Sequence, residues 1–132
     1  MAWNVQASQE QIAFLMEAGL IYRDARRFQE AEQVFTGVRS LAPKSEVPEV
    51  ALGTLRFAEG NLEGAIRHYQ TALQLNPRSA FAHAHLGEAY LFRKEPEQAR
   101  EHLKKAGEID PRGEFGELAR SLMAYLEAGL QP

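Results

Sequence analysis

The stretch EVPEVALGTLRFAEGNLEGAIRHYQTALQLNPRS, residues 46–79, decides the fold, because its pattern of small and large residues returns on both sides of it after 34 positions. Gly53 is matched at that step by Gly19 before it and by Gly87 after it. The same step relates two further sets, which are Ala31, Ala65 and Ala99, and Pro43, Pro77 and Pro111. A fixed period of about 20–50 residues is the signature of a solenoid, whose units bury their apolar faces against one another. The sequence therefore predicts a repeat fold.

Each copy of the repeat is predicted to be a pair of helices, over residues 12–45, 46–79 and 80–113. A glycine inside a helix costs about 1 kcal/mol relative to alanine, so glycines at one phase of every copy indicate a close contact between helices. Large residues recur between the small ones, in the series Phe35, Tyr69 and Leu103. We expect the helices of each pair to approach closely along these positions.

Signals for helix ends agree with this reading. Ser8 with Gln11 predicts a capping box, and Ser45 and Ser79 predict N-caps. The prolines of the repeat end the second helix of each pair, because a proline disfavours helix in the residue before it. After the last proline, apolar residues at helical spacing predict a C-terminal capping helix over residues 114–128. The expected fold class is all-α, with three helix–turn–helix repeats and this cap.

Composition bounds the functional class. At 132 residues the chain suits one domain, which we expect to span residues 1–132. Cysteine is absent, so disulfides and thiolate metal sites are excluded. A net charge of −3 with both signs interspersed offers no basic field to nucleic acid. Met1–Gln6 has no secretory signal, and no stretch reaches the roughly 18 apolar residues of a membrane span. We expect a cytoplasmic protein that binds no nucleic acid and does not insert into a membrane.

No catalytic, cofactor or metal site is predicted. His83 and His85 stand two residues apart on a helix, so their rings diverge by about 200° and cannot meet on one ion. His68 and His102, one period apart, read as surface residues. The chain has no phosphate-binding glycine loop and no G-x-S-x-G elbow. We expect a protein that is not an enzyme.

The 34-residue helix–turn–helix unit with Gly, Tyr, Ala, Phe and Pro at these phases resembles the tetratricopeptide repeat over residues 12–113. The resemblance implies a right-handed superhelix in which the first helix of each pair, the A helix, lines a concave groove for a partner segment, often an extended peptide. The geometry of that family assigns to the peptide-binding groove Met16, Leu20, Val47, Val50, Ala51, Thr54, Phe57, Phe81, His85, Glu88, Leu91 and Phe92.

Most of these groove positions are apolar. The ones that read as surplus to a core are Met16, Leu20, Val50, Phe57, Phe81 and Phe92. Contiguous exposed apolar surface usually marks a binding site. The alternative is that several of them pack against the terminal helix or against a second copy of the chain. We expect no basic clamp of the kind with which related repeats hold the carboxylate tail of heat-shock chaperones, because apolar residues occupy most of its positions.

A closer resemblance rests on two phrases and the tail. RFQEAEQVF at 27–35 and GNLEGAIRHY at 60–69 resemble the first and second repeats of the small bacterial type III secretion chaperones that hold translocator proteins, of the SycD and LcrH kind. Residues 114–128 resemble their final helix. The resemblance implies a cytoplasmic chaperone whose groove takes an extended, apolar-anchored segment of a membrane-active client. That family usually carries a longer N-terminal arm used in self-association, so a homodimer stays open here.

Two functions therefore remain. The first is a type III secretion-like chaperone that binds a protein or an extended peptide. The second is an adaptor or scaffold that holds the subunits of a multiprotein assembly through the same groove. A chaperone leaves its client unfolded and releases it, whereas an adaptor stays in the mature complex.

Overall fold

The computed structural model describes residues 7–129, so the start of the chain, where we expect no secretory signal, and residues 130–132 lie outside it. Within that range the chain forms seven α-helices and no strand. In chain order they are α1 (Gln9–Asp24), α2 (Phe28–Leu41), α3 (Val47–Ala58), α4 (Leu62–Leu75), α5 (Ala80–Phe92), α6 (Pro96–Ile109) and α7 (Glu114–Glu127). The predicted all-α class is confirmed.

Consecutive helices pack as pairs, α1 with α2, α3 with α4 and α5 with α6, and each pair packs on the next. The A helices α1, α3 and α5 also contact one another in turn, while α7 packs against both α5 and α6. The result is the stack of helix pairs that the period predicts, in the superhelical arrangement that the resemblance implies, with one side built from A helices and the end of the third pair covered by α7.

One contact recurs in all three pairs and explains the equal phase of the glycines. A Cβ added to Gly53 would overlap the Tyr69 ring, at 2.6 Å from Cδ1 and 3.0 Å from Cζ. The equivalent overlaps join Gly19 to Phe35 and Gly87 to Leu103. The large partner is buried in every pair. The helices approach this closely only because the A helix has no side chain there.

Helix ends follow the predicted signals with one exception. Ser8 and Gln11 form the capping box, in which the Gln11 N–H donates to Ser8 Oγ at 3.1 Å. Ser79 caps α5 through its side chain. Ser45 is not the N-cap of α3, because Glu46 takes that place with helical backbone angles, φ −76° and ψ −17°. The predicted boundary is therefore displaced by one residue.

The turns inside the pairs share a left-handed residue. Gly60, between α3 and α4, has φ +84°. The residues one period away are Arg26, with φ +62°, and Lys94, with φ +65°. Side chains rarely adopt this conformation, so only the second turn carries the residue that suits it.

Candidate peptide-binding groove

A cavity of about 700 Å³ lies on the side of the molecule formed by the A helices. Its walls come from α1, α3 and α5, and the rest of the lining comes from the α4–α5 connection and from the junction where α6 ends and α7 begins. Six predicted groove residues line it, which are Met16, Leu20, Val47, Thr54, Phe81 and His85. The structure therefore brings together half of the predicted set.

Phe81 is held in this cavity by aromatic contacts on two sides. Its ring stacks on Phe115 of α7, with centroids 4.7 Å apart and planes at 24°, and it meets His85 edge-on at 5.1 Å. Phe115 also lines the cavity, and Asp110 Oδ2 accepts the Phe115 N–H at 3.2 Å. Phe115 is not among the predicted groove residues, because its helical spacing indicated only a cap. The alternative of packing against the terminal helix thus holds for Phe81.

Three predicted groove residues lie in the core instead. Val50 and Ala51 have no exposed surface, and Leu91 is 4% exposed. Met16 is 8% exposed, so only its edge reaches the cavity. The prediction that Met16 and Val50 are surplus to the core is wrong. An A helix packs against the A helices on both sides as well as against its own partner, so more than one stripe of it is buried.

Phe57 and Phe92 form a separate apolar patch at the other end of α3 and α5. Their rings meet edge to face, with centroids 5.1 Å apart and planes at 87°. Phe92 is 44% exposed, and Phe57 is half-buried against the core. Neither lines the cavity. The predicted groove residues outside the core therefore form two apolar groups, one in the cavity and the other in this Phe57–Phe92 patch.

Polar side chains lie at the end of the cavity nearer to the Phe57–Phe92 patch, and two of them, Arg23 and Thr54, line the cavity itself. Arg23 of α1 reaches across to α3, where its Nη1 donates to Thr54 Oγ1 at 2.8 Å. Thr54 in turn donates to Ala51 O at 2.7 Å. On α5, Glu88 Oε1 lies 3.4 Å from His85 Nδ1. We call Arg23, Thr54 and Glu88 the polar belt.

Tyr69 lies beneath the polar belt. It has no exposed surface, and among the described residues its hydroxyl has no hydrogen-bond partner. Burial raises the pKa of the Tyr69 phenol far above its ordinary value; Glu88 raises it further and Arg23 opposes the rise. Both charges of the belt therefore act on this hydroxyl. From its phase in the sequence Tyr69 is predicted only to pack, although the residues at the same position of the other repeats carry no polar atom in their side chains.

Comparison with known proteins identifies the family of this chain. A family model described as Tetratricopeptide repeat matches residues 56–126, which is more than half of the chain. This chain belongs to the tetratricopeptide repeat family. Human Tetratricopeptide repeat protein 6 is 29% identical over 70 residues, which make up 53% of this chain but only 14% of that protein. The chain thus spans a small part of that relative's length.

Solved tetratricopeptide-like structures share the fold. The chain is similar to the type III secretion translocator chaperone SycD of Yersinia enterocolitica, with a TM-score of 0.76 and 24% identity over 92% of this chain and 91% of that one. It is also similar to SycD in complex with a peptide of the translocator YopD, with a TM-score of 0.73 and 24% identity over 92% and 93% of the two chains. The predicted resemblance to these chaperones is confirmed at the level of the fold.

In the second and third helix pairs, a histidine of the second helix contacts a side chain of the first helix at a site away from the cavity. His102 Nδ1 lies 3.0 Å from His83 Nδ1, and His83 Nε2 lies 2.9 Å from Pro77 O. A carbonyl oxygen only accepts hydrogen bonds, so we assign the proton of neutral His83 to Nε2, which donates to Pro77 O. His83 Nδ1 is then the acceptor, and His102 Nδ1 donates to it. One period earlier, His68 Nδ1 lies 2.9 Å from Glu49 Oε2. The prediction that His68 and His102 are surface residues is wrong, because both are partly buried between paired helices, and the His68 side chain is only 24% exposed.

Within residues 7–129, no group of three or more potential ligands could hold a metal ion. None of the helices in the described part is both long and apolar enough to cross a membrane.

Proposed function

We propose that this protein is a cytoplasmic chaperone of the type III secretion kind, which holds an extended apolar segment of a client protein along its A helices. The observation that carries the proposal is the cavity of about 700 Å³, whose walls include Leu20, Phe81 and Phe115. A segment without a fold of its own presents alternate side chains. A groove whose apolar side chains are already in place can bind the segment without itself becoming ordered first.

The likeness to SycD, which includes a structure with a peptide of the translocator YopD, supports this reading. By that likeness we propose a membrane-active client, whose apolar segment needs cover before export. The client stays unfolded outside the bound segment and is released intact.

A second candidate is an adaptor that holds subunits of an assembly. From the sequence we expect an adaptor to use the same groove, but a separate apolar face on α1 offers it another surface. Phe14 is 71% exposed and Ile21 is 63% exposed. They stand two turns apart on one side of the helix, and neither lines the cavity. A partner subunit or a second copy of the chain would bind there.

The test compares Phe81→Ala with Phe14→Ala, which removes an aromatic ring of the same size outside the cavity. Displayed random decapeptides are selected on the unaltered protein, and the affinities of enriched peptides are measured on both variants. We expect Phe81→Ala to weaken binding by about 30-fold or more, as loss of a central aromatic anchor does, and Phe14→Ala to change nothing. Far-UV circular dichroism checks that both variants stay folded.

The opposite pattern, with binding lost in Phe14→Ala and kept in Phe81→Ala, would contradict the groove and favour the adaptor. Hydrogen exchange on a full client identified from the peptides then separates the two functions. A chaperone leaves the client unprotected outside the bound segment, so protection throughout the client would contradict that role.

A further inference from the structure

A second opening, of about 390 Å³, lies where α2, α3 and α4 meet, and we call it the outer pocket. Its lining includes Arg39, Glu49, Arg56, Arg67, His68 and Thr71. Glu49 and Arg56 stand two residues after Val47 and Thr54, which line the cavity. Two residues along a helix turn the side chain by about 200°, so the outer pocket lies on the opposite side of α3 from the cavity.

The outer pocket receives one arginine from each of its three helices. Arg39 comes from α2, Arg56 from α3 and Arg67 from α4, in a chain whose net charge is −3. A guanidinium carries five N–H donors in a planar fork, which matches the two oxygens of a carboxylate or the oxygens of a phosphate. The pocket therefore concentrates donors that suit an anion.

The acidic residue of the lining, Glu49, already has a contact on each of its oxygens. Its side chain is 10% exposed, and its Oε1 accepts from Arg39 Nη1 at 3.2 Å. Its Oε2 lies 2.9 Å from Nδ1 of His68. This buried carboxylate fixes the direction of the Arg39 guanidinium, and most of the N–H groups of Arg39 remain for a ligand.

The other two arginines differ in their surroundings. Arg56 Nη1 donates to Glu59 at 2.6 Å, and its Nη2 donates to Glu32. Arg67 is exposed, and within residues 7–129 its guanidinium takes part in no ion pair. The three arginines are thus balanced by three glutamates, since Glu49 also counts. These glutamates repel a doubly charged phosphate about twice as strongly as a carboxylate, so the balance favours a carboxylate.

We propose that the outer pocket binds the carboxylate of an aspartate or glutamate in an acidic segment of a partner protein. Arg67 is the main donor because it is not engaged elsewhere, and Arg39, held by Glu49, donates from the other wall. Because the pocket and the cavity lie on opposite sides of α3, the protein can hold this partner and a client at the same time. The inference goes beyond the proposed function and does not depend on it.

The test measures the binding of hexaglutamate, with hexaglutamine as its uncharged counterpart and inorganic phosphate as the competing anion. The matched variants are Arg67→Ala and Arg100→Ala, the second of which removes an exposed arginine of α6 outside the pocket. In calorimetric titration, Arg67→Ala should bind hexaglutamate about fivefold more weakly, the upper end for an exposed ion pair, and Arg100→Ala should bind it unchanged. Hexaglutamine should not bind, and added salt should weaken hexaglutamate binding.

Amide signals in nuclear magnetic resonance spectra locate the site. Hexaglutamate should shift the signals of Gly64 and Thr71, which line the outer pocket, and leave those of Leu20 and Phe81 in the cavity in place. Shifts in the cavity would contradict the separation of the two sites.

Two further outcomes would overturn the proposal. Equal hexaglutamate affinities of Arg67→Ala and Arg100→Ala, or no binding of hexaglutamate at all, would show that the outer pocket is not a carboxylate site. Tighter binding of inorganic phosphate than of hexaglutamate would overturn the assignment to an acidic segment. Far-UV circular dichroism checks that both variants keep their helical fold, and neither result bears on whether a client binds in the cavity.

Discussion

Replacing Gly53 by alanine tests the contact that sets the distance between paired helices. The new Cβ would overlap the Tyr69 ring, 2.6 Å from Cδ1 and 3.0 Å from Cζ. Tyr69 has no exposed surface, so its ring cannot swing out of the way. We expect this overpacking to cost about 3 kcal/mol. Alanine's better helix propensity offsets about 1 kcal/mol of that, which leaves a net loss of about 2 kcal/mol.

Gly37 of α2 supplies the matched control, because a Cβ there meets nothing within 4 Å. Only helix propensity acts at this exposed position, so Gly37→Ala should stabilise the protein by up to about 1 kcal/mol. For a chain of this size, 1 kcal/mol shifts the melting temperature by about 3–5 °C. Thermal unfolding followed by far-UV circular dichroism should therefore show a fall of about 6–10 °C for Gly53→Ala and a rise of up to about 5 °C for Gly37→Ala.

A Gly53→Ala variant that melts at or above the unaltered protein, while Gly37→Ala behaves as expected, would refute this reasoning. The repeated glycine would then not limit the approach of the helices, and the 34-residue period would need another physical cause.

Stability should fall as the pH drops from 6.5 towards 4. Burial, with His83 beside it, lowers the pKa of folded His102 from 6.5 to about 4, so the unfolded state takes up the proton first. Because the ring is only half-buried, we expect the free energy of unfolding to fall by about 1 kcal/mol at pH 5. In urea unfolding, His102→Gln should reduce the dependence of this free energy on pH between 6.5 and 4. An unchanged pH dependence in the variant would contradict this explanation. Deleting residues 113–132 removes α7 and uncovers the third helix pair, so size-exclusion chromatography should show aggregates of the truncated chain. A soluble helical monomer would show that α7 is dispensable. Lys94→Gly places glycine at φ +65° and should stabilise the protein by about 0.5–1 kcal/mol, which raises the melting temperature by a few degrees. A melting temperature below that of the unaltered protein would mean that the turn is not strained.

Much of the fold could be predicted from the sequence because a solenoid is built from local rules. The 34-residue step marks Gly53 and Tyr69 each as a position where paired helices approach closely, and the structure shows that these two residues form one contact. Capping and breaking residues act within a turn or two of their own position, so Ser8 and Ser79 marked helix starts correctly. The all-α class and the repeat architecture followed from such short-range signals.

Tertiary structure alone decided which groove positions reach solvent. Helical phase states which residues share a face, but the exposure of a face depends on how neighbouring repeats pack against it. Val50 and Ala51 are therefore core residues, although their phase assigned them to the groove. Phe115 completes the cavity from a helix far along the chain, and the polar belt forms only where Arg23 of the first repeat reaches the second. Contacts between distant segments arise from the curvature of the whole superhelix, and no local pattern encodes that curvature.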